Sequence, residues 1–138
     1  MSSELTPFSL VVDASVVAAT LIDDGQEGRW AEAVLVRYNL LAPQVLLSDV
    51  TRVLRALEIR ERIYGLEAGT ALRDLVRLPI ELCPFEPLAE RIWELRRLVP
   101  SHRAWYIALA EALEVPLATL EVRLARETGI RCELLLPS

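Results

Sequence analysis

SHRAWYIALAEALEVPLATLEVRL, residues 101–124, reads as an apolar helix that turns at Pro116 into a short strand and ends on an acid, Glu121. A helix feeding a parallel strand carries the residue at the strand's end to the edge where open α/β sheets bind ligands. A second run of this kind lies near the N-terminus: SLVVDAS, residues 9–15, is β-branched and apolar up to Asp13. The two carboxylates are therefore placed to meet. Arg103, inside the first of these segments, decides how far the reading extends.

The rest of the chain alternates in the same way. Residues 8–12 form a strand and 14–22 a helix, followed by a loop around Asp23, Asp24, Gly25 and Gly28 and a helix over 29–38. A short strand at 40–42 stops at Pro43. Apolar residues at 46, 50, 53, 54 and 57 then make a helical stripe within 45–60, with Ser48 or Gln44 as its cap and Asp49 on the stripe itself. A helix over 66–78 follows Gly65, a strand over 80–85 follows Pro79, and Pro87 opens a helix through Arg97. After the helix 101–114 and strand 116–120, the expectation is a helix over 121–128 closed by Gly129 and a strand over 131–136. Apolar strands alternating with helices predict an α/β fold with a parallel sheet covered on both faces.

The length of 138 residues suits one domain with one core. An apolar fraction of 53% with few Gly and Pro argues against long disorder, and part of that apolar surface is available to a partner. No run approaches the ~18 apolar residues of a membrane span, and MSSELTPF lacks the basic and apolar regions of a signal peptide, so a cytoplasmic protein is expected. Cys83 and Cys132 have no zinc-site spacing and read as buried strand residues. A net charge of −5 excludes gripping nucleic acid by bulk electrostatics but leaves room for RNA held locally.

All fifteen basic residues are arginines, and with no lysine there is no P-loop GK[ST], no Schiff base and no phospho-receiver site around Asp13. No GxGxxG follows a strand, and one histidine, His102, excludes two-histidine RNA hydrolysis. What remains is three acids on one side of the expected sheet: Asp13, Asp49 and Glu121. Oxygen-only ligands suit Mg²⁺ or Mn²⁺, which activate water and neutralise a phosphodiester without histidine or lysine. Each acid also has a structural reading. Asp13 caps the helix that follows, Glu121 is a first-turn acid favoured by the helix dipole, and Asp49 on a core-facing stripe needs a partner, either a metal or an arginine. Arg52 and Arg55, with Arg60 and Arg62, are placed either to contact a phosphate backbone or to pair with Glu58 and Glu61 on a solvated face. Trp30, Trp93 and Trp105 read as core or dimer-contact aromatics rather than base-stacking ones.

LVVDASVV, LLSDVTRVLRALE and AWYIALAEALEVPLATLEVRLA, in this order and spacing, resemble the PIN-domain proteins of the VapC type, the toxin half of bacterial toxin–antitoxin pairs. The resemblance covers nearly the whole chain and implies a single PIN-like domain over residues 1–138, an α/β/α sandwich on a short, mostly parallel sheet. It also implies a Mg²⁺- or Mn²⁺-dependent endoribonuclease acting on RNA, a homodimer, and inhibition by a small antitoxin protein. The family's first acid falls on Asp13, with Ser15 as the small hydroxyl residue after it. The second, usually glutamate, falls on Asp49, and the fourth, usually aspartate, on Glu121. Where the family places its third acid, this chain has Arg103. A guanidinium there pairs with the acids and competes with a metal. Two functions follow from the resemblance. One is an altered ribonuclease in which Arg103 swings away or contacts the substrate phosphate. The other is a catalytically impaired binding protein, acting through dimerisation or antitoxin binding, in which Arg103 bridges to Asp13, Asp49 or Glu121.

Overall fold

The computed structural model describes residues 8–23 and 25–138; Asp24 of the expected loop and most of the segment read for a signal peptide lie outside these. Five strands, β1 (Ser9–Val12), β2 (Asn39–Pro43), β3 (Ile80–Cys83), β4 (Leu117–Ala118) and β5 (Leu134–Leu135), form a sheet in the order β3-β2-β1-β4-β5. Every pairing is parallel. The helices are α1 (Ala14–Ile22), α2 (Gln26–Arg37), α3 (Leu46–Ile59), α4 (Gly65–Leu75), α5 (Ala89–Glu94) and α6 (Ser101–Leu113).

β1 is buried almost throughout, as a central parallel strand must be when helices cover both faces, and Leu10, Val11 and Val12 are fully enclosed. α6 packs against β1, β2 and β4, while α1 packs against α2, α3 and α4. The chain moves outward from β1 through β2 to β3, then returns to the other side of β1 with β4 and β5. The order reverses between β1 and β4. Crevices at such reversals, beyond the carboxyl ends of the strands, are where open α/β sheets bind ligands. Asp13 directly follows β1, and Thr119 to Glu121 directly follow β4.

The interval between α1 and α2 is tight. A Cβ on Gly28 would come within 1.7 Å of the Asp23 carbonyl oxygen, so only glycine admits this approach. At the other end of the molecule Arg91 braces the last segment. Its Nε donates to Glu111 Oε1 at 2.7 Å and its Nη2 to the Gly129 carbonyl at 2.8 Å, while the Arg131 N–H donates to Glu111 Oε2 at 2.8 Å. These bonds outweigh the opposing effect of burial and hold the Glu111 carboxyl below the usual range.

Several expectations need correction. The predicted helix over 121–128 is a 3₁₀ turn, Val122–Arg126, closed by i to i+3 bonds such as Leu124 N–H to the Glu121 carbonyl. The strands expected at 116–120 and 131–136 shorten to two residues each, Leu117–Ala118 and Leu134–Leu135. The helix expected from Pro87 to Arg97 is α5 flanked by two 3₁₀ turns, Glu86–Leu88 and Leu95–Arg97. α3 follows Val45 with no side-chain cap, so neither Ser48 nor Gln44 fills that role. Cys83 is in β3 but half-buried, and Cys132 lies before β5 rather than in it. Trp93 is 66% exposed and stacks under the Arg96 guanidinium at 4.1 Å, so it is not a core residue. Trp105 and Trp30 do pack against the core, Trp105 with its ring 4.8 Å from that of Phe85.

Candidate active site

A cleft of about 470 Å³ opens beside the reversal of strand order, and Asp13, Ser15, Asp49, Arg52, Arg103 and Glu121 all line it. Arg55 does not, and its place on α3 is exposed. A larger hollow of about 750 Å³ between α1, α2 and α4 holds none of the three acids, so the smaller cleft carries the candidate chemistry.

Asp13 sits where β1 ends and α1 begins, and there it does what a cap residue does. Its Oδ1 accepts the Val16 N–H at 3.2 Å, one of the donors a helix start leaves unpaired. The same oxygen accepts the Ser15 hydroxyl at 2.6 Å, and Oδ2 accepts the Thr119 hydroxyl. Both hydroxyls reach onward to the loop after β4. Ser15 Oγ accepts the Leu120 N–H at 3.1 Å, and Thr119 Oγ1 accepts the Glu121 N–H at 3.0 Å. Ser15 and Thr119 thus tie the ends of two neighbouring strands to one carboxylate. Burial pushes the Asp13 carboxyl above its usual value, and the hydrogen bonds from Ser15, Thr119 and Val16 only partly offset this.

Asp49 is buried in the first turn of α3. The partner its position demands is a tyrosine: the Tyr106 hydroxyl of α6 donates to Oδ2 at 2.7 Å. Arg52, one turn on and largely exposed, stands 3.6 Å from Oδ1. Burial and then this bond to Asp49 push the Tyr106 hydroxyl far above its ordinary value, so it stays protonated and acts as a fixed donor. His102, in the same cleft, is held below its usual value first by burial, an effect that Asp49 opposes and Arg52 and Arg103 reinforce.

Glu121 is held in another way. Arg103 and Tyr106 lie three apart on α6, on one face, and both reach the cleft. Arg103 Nη2 donates to Glu121 Oε2 at 2.6 Å, and Arg123 Nε approaches Oε1 at 3.4 Å. Of the bridges left open by the sequence, the one to Glu121 forms.

Oxygen donors of this kind suit a hard divalent cation, and Mg²⁺ is commonly held by one or two carboxylates together with waters and substrate phosphates. Asp13 and Asp49 fit that role. Glu121, with a guanidinium on each oxygen, does not, and among the described residues no three His, Cys, Asp or Glu side chains converge as a metal-binding group. Thr119 and Tyr106 were not singled out from sequence as site residues, nor was Glu27, which reaches the cleft from the first turn of α2. The available signal was faint: a hydroxyl residue at a strand end two positions before an acid, and the one tyrosine on the helix face of Arg103.

No protein-family model matches the chain. It is 36% identical over 123 residues to Ribonuclease VapC9 of Mycobacterium tuberculosis, covering 89% of this chain and 94% of that protein. It is also 37% identical over 129 residues to Ribonuclease VapC1 of the same species, covering 89% and 97%. Among solved structures, PAE2754 from Pyrobaculum aerophilum superposes with a TM-score of 0.67 at 19% identity, covering 92% of this chain and 83% of that one. VapC20 of Mycobacterium tuberculosis, described as a Sarcin-Ricin loop cleaving toxin, superposes with a TM-score of 0.63 at 14% identity, covering 88% and 98%. Likeness of sequence over nearly the whole length, on the same fold, places this chain in the VapC ribonuclease family.

Proposed function

We propose that this protein is the toxin of a toxin–antitoxin pair and a ribonuclease that hydrolyses RNA phosphodiesters in the cytoplasm. The reading is carried by one observation: the likeness to VapC ribonucleases spans nine-tenths of the chain. Within that span, Asp13, Asp49 and Glu121 line one cleft. Asp13 and Asp49 are assigned as ligands of Mg²⁺ or Mn²⁺, which when bound supplies an activated water and neutralises charge on the phosphodiester. Ser15 and Thr119 hold the Asp13 carboxylate in one orientation, and Tyr106 does the same for Asp49. Arg52 faces the cleft beside Asp49 and is assigned to the RNA backbone. Arg55 receives no such role.

Incubating the purified protein with structured RNAs and Mn²⁺ tests the reading. Cleavage is expected for the wild type and not for Asp13→Ala; equal products from both overturn it in favour of a PIN-fold binding protein. A small antitoxin and a homodimer complete the proposal; the antitoxin is supported by VapBC-5 from Mycobacterium tuberculosis, described as a member of the VapBC family of toxin-antitoxin systems, which shares this fold. Co-expression with the product of a short neighbouring reading frame checks the first, and sedimentation checks the second. Among the described residues no helix is long and apolar enough to cross a membrane.

A further inference from the structure

We infer that Arg103 is a substrate-positioning residue whose guanidinium exchanges Glu121 for a phosphate of the bound RNA; the inference rests on the ribonuclease reading above. Three observations carry it. The bond to Glu121 is single-ended, Nη2 to Oε2 at 2.6 Å, and among the described residues it is the hydrogen bond that the Arg103 side chain makes, which leaves the other donors of the fork to face the cleft. Arg103 is 38% exposed, and pairs at such positions are weak and readily exchanged, whereas a phosphate offers the fork two acceptor oxygens at once. Glu121 also keeps a counter-charge when Arg103 leaves, because Arg123 already stands 3.4 Å from its other oxygen. Breaking the pair therefore strands no isolated charge.

The location fits the role. Asp13 and Asp49 repel a phosphodiester, and Arg103 is presented on α6 beside Tyr106, whose hydroxyl holds Asp49. A cation at that point draws an anionic backbone toward the two acids while Glu121 parks it in the absence of RNA.

The test is a double-mutant cycle on RNA binding in EDTA, read by anisotropy of a fluorescein-labelled single-stranded RNA, with thermal melts to establish that each variant folds. Glu121→Gln is expected to tighten binding several-fold by releasing Arg103. Arg103→Gln is expected to weaken binding by about tenfold, in both the Glu121 and the Glu121→Gln backgrounds. It is also expected to lower the slope of log affinity against log salt by about 0.7. If Arg103 served only to neutralise Glu121, Arg103→Gln would have no effect in the Glu121→Gln background, and that result overturns the inference. Should Arg103→Gln not fold, Arg103→Lys keeps the charge and loses the fork. Weakening of about threefold with an unchanged salt slope then supports the inference, and unchanged affinity overturns it. Wild type that cleaves RNA with Mn²⁺ while Arg103→Gln binds as before overturns the inference alone. Wild type that neither binds nor cleaves RNA overturns it together with the ribonuclease reading.

Discussion

Asp13 and Glu121 flank the same reversal of strand order, yet they are held by opposite means. Asp13 receives neutral hydroxyls from Ser15 and Thr119, whereas Glu121 receives the guanidiniums of Arg103 and Arg123. Neutral donors orient a carboxylate and leave its negative charge available to a cation. Guanidiniums orient it and cancel the charge. One end of the cleft therefore carries a carboxylate held by neutral donors and the other a carboxylate held by cations, although both positions carry acids in the sequence.

The sharpest way to break this contrast is to neutralise each acid in turn. Asp13→Asn is expected to lower Mn²⁺-dependent RNA cleavage by about 10³-fold or more, as removal of a reacting group does. Glu121→Gln, which deletes a carboxylate that Arg123 still offsets when RNA takes Arg103, should lower it by less than about tenfold. Equal losses in single-turnover assays would mean that Arg123 leaves Glu121 along with Arg103 when the substrate binds and that both acids serve alike.

A smaller effect is expected from the hydroxyl side. Thr119→Val keeps shape and volume but removes the donor to Asp13 Oδ2 and the acceptor of the Glu121 N–H. Loss of such an orienting contact is expected to weaken Mn²⁺ binding, measured by calorimetry, by about 10- to 100-fold. From the arginine side, Arg103→Asp should do the reverse, raising Mn²⁺ affinity by about tenfold while RNA affinity in EDTA falls. An Arg103→Asp variant with unchanged Mn²⁺ affinity would remove the contrast between the two ends.

The smallest effect concerns stability. Because burial raises the folded-state value of Asp13 above the ordinary 3.8, the fold favours the protonated acid. Its contribution is fully present below 3.8 and is lost as pH rises through the higher folded value. Asp13→Asn retains an amide oxygen for the Val16 N–H and carries no charge, so it should raise the melting temperature by roughly 3 °C at pH 7. That advantage should shrink to nothing as pH falls below 3.8. A constant difference across pH in thermal melts would show that Asp13 is not strained by its own ionisation.

The frame of this fold was legible because its strands are short apolar runs that stop abruptly at an acid or a proline, and its helices carry clear periodic stripes. LVVDAS and NLLAP announce β1 and β2 in this way. The C-terminal quarter was less legible. Val122 to Arg126 has the composition of a helix, but the bonds of its turn close over three residues. Asp13 and Glu121 were visible at strand ends and Asp49 on a helical stripe, with Ser15 and Arg103 beside them, but Thr119 and Tyr106 were not. Thr119 reads as one more β-former in PLATLE, Tyr106 as one more aromatic in an apolar helix, and neither periodicity nor composition distinguishes a residue that donates across 106 positions. Arg103 was visible as a departure, but which of three acids it meets is decided by the spacing of α6 over β4.

The tie between Asp13 and Thr119 has a consequence for how the protein is made. β1 is synthesised before the residues that close the site around it, so one of its edges stays unpaired until β4 has been made. Any product cut short before Leu117 lacks both the hydroxyl and the strand that brings it. Synthesis that stalls before that point leaves fragments in which the Asp13 carboxylate has neither the neighbouring strand β4 nor the Thr119 hydroxyl.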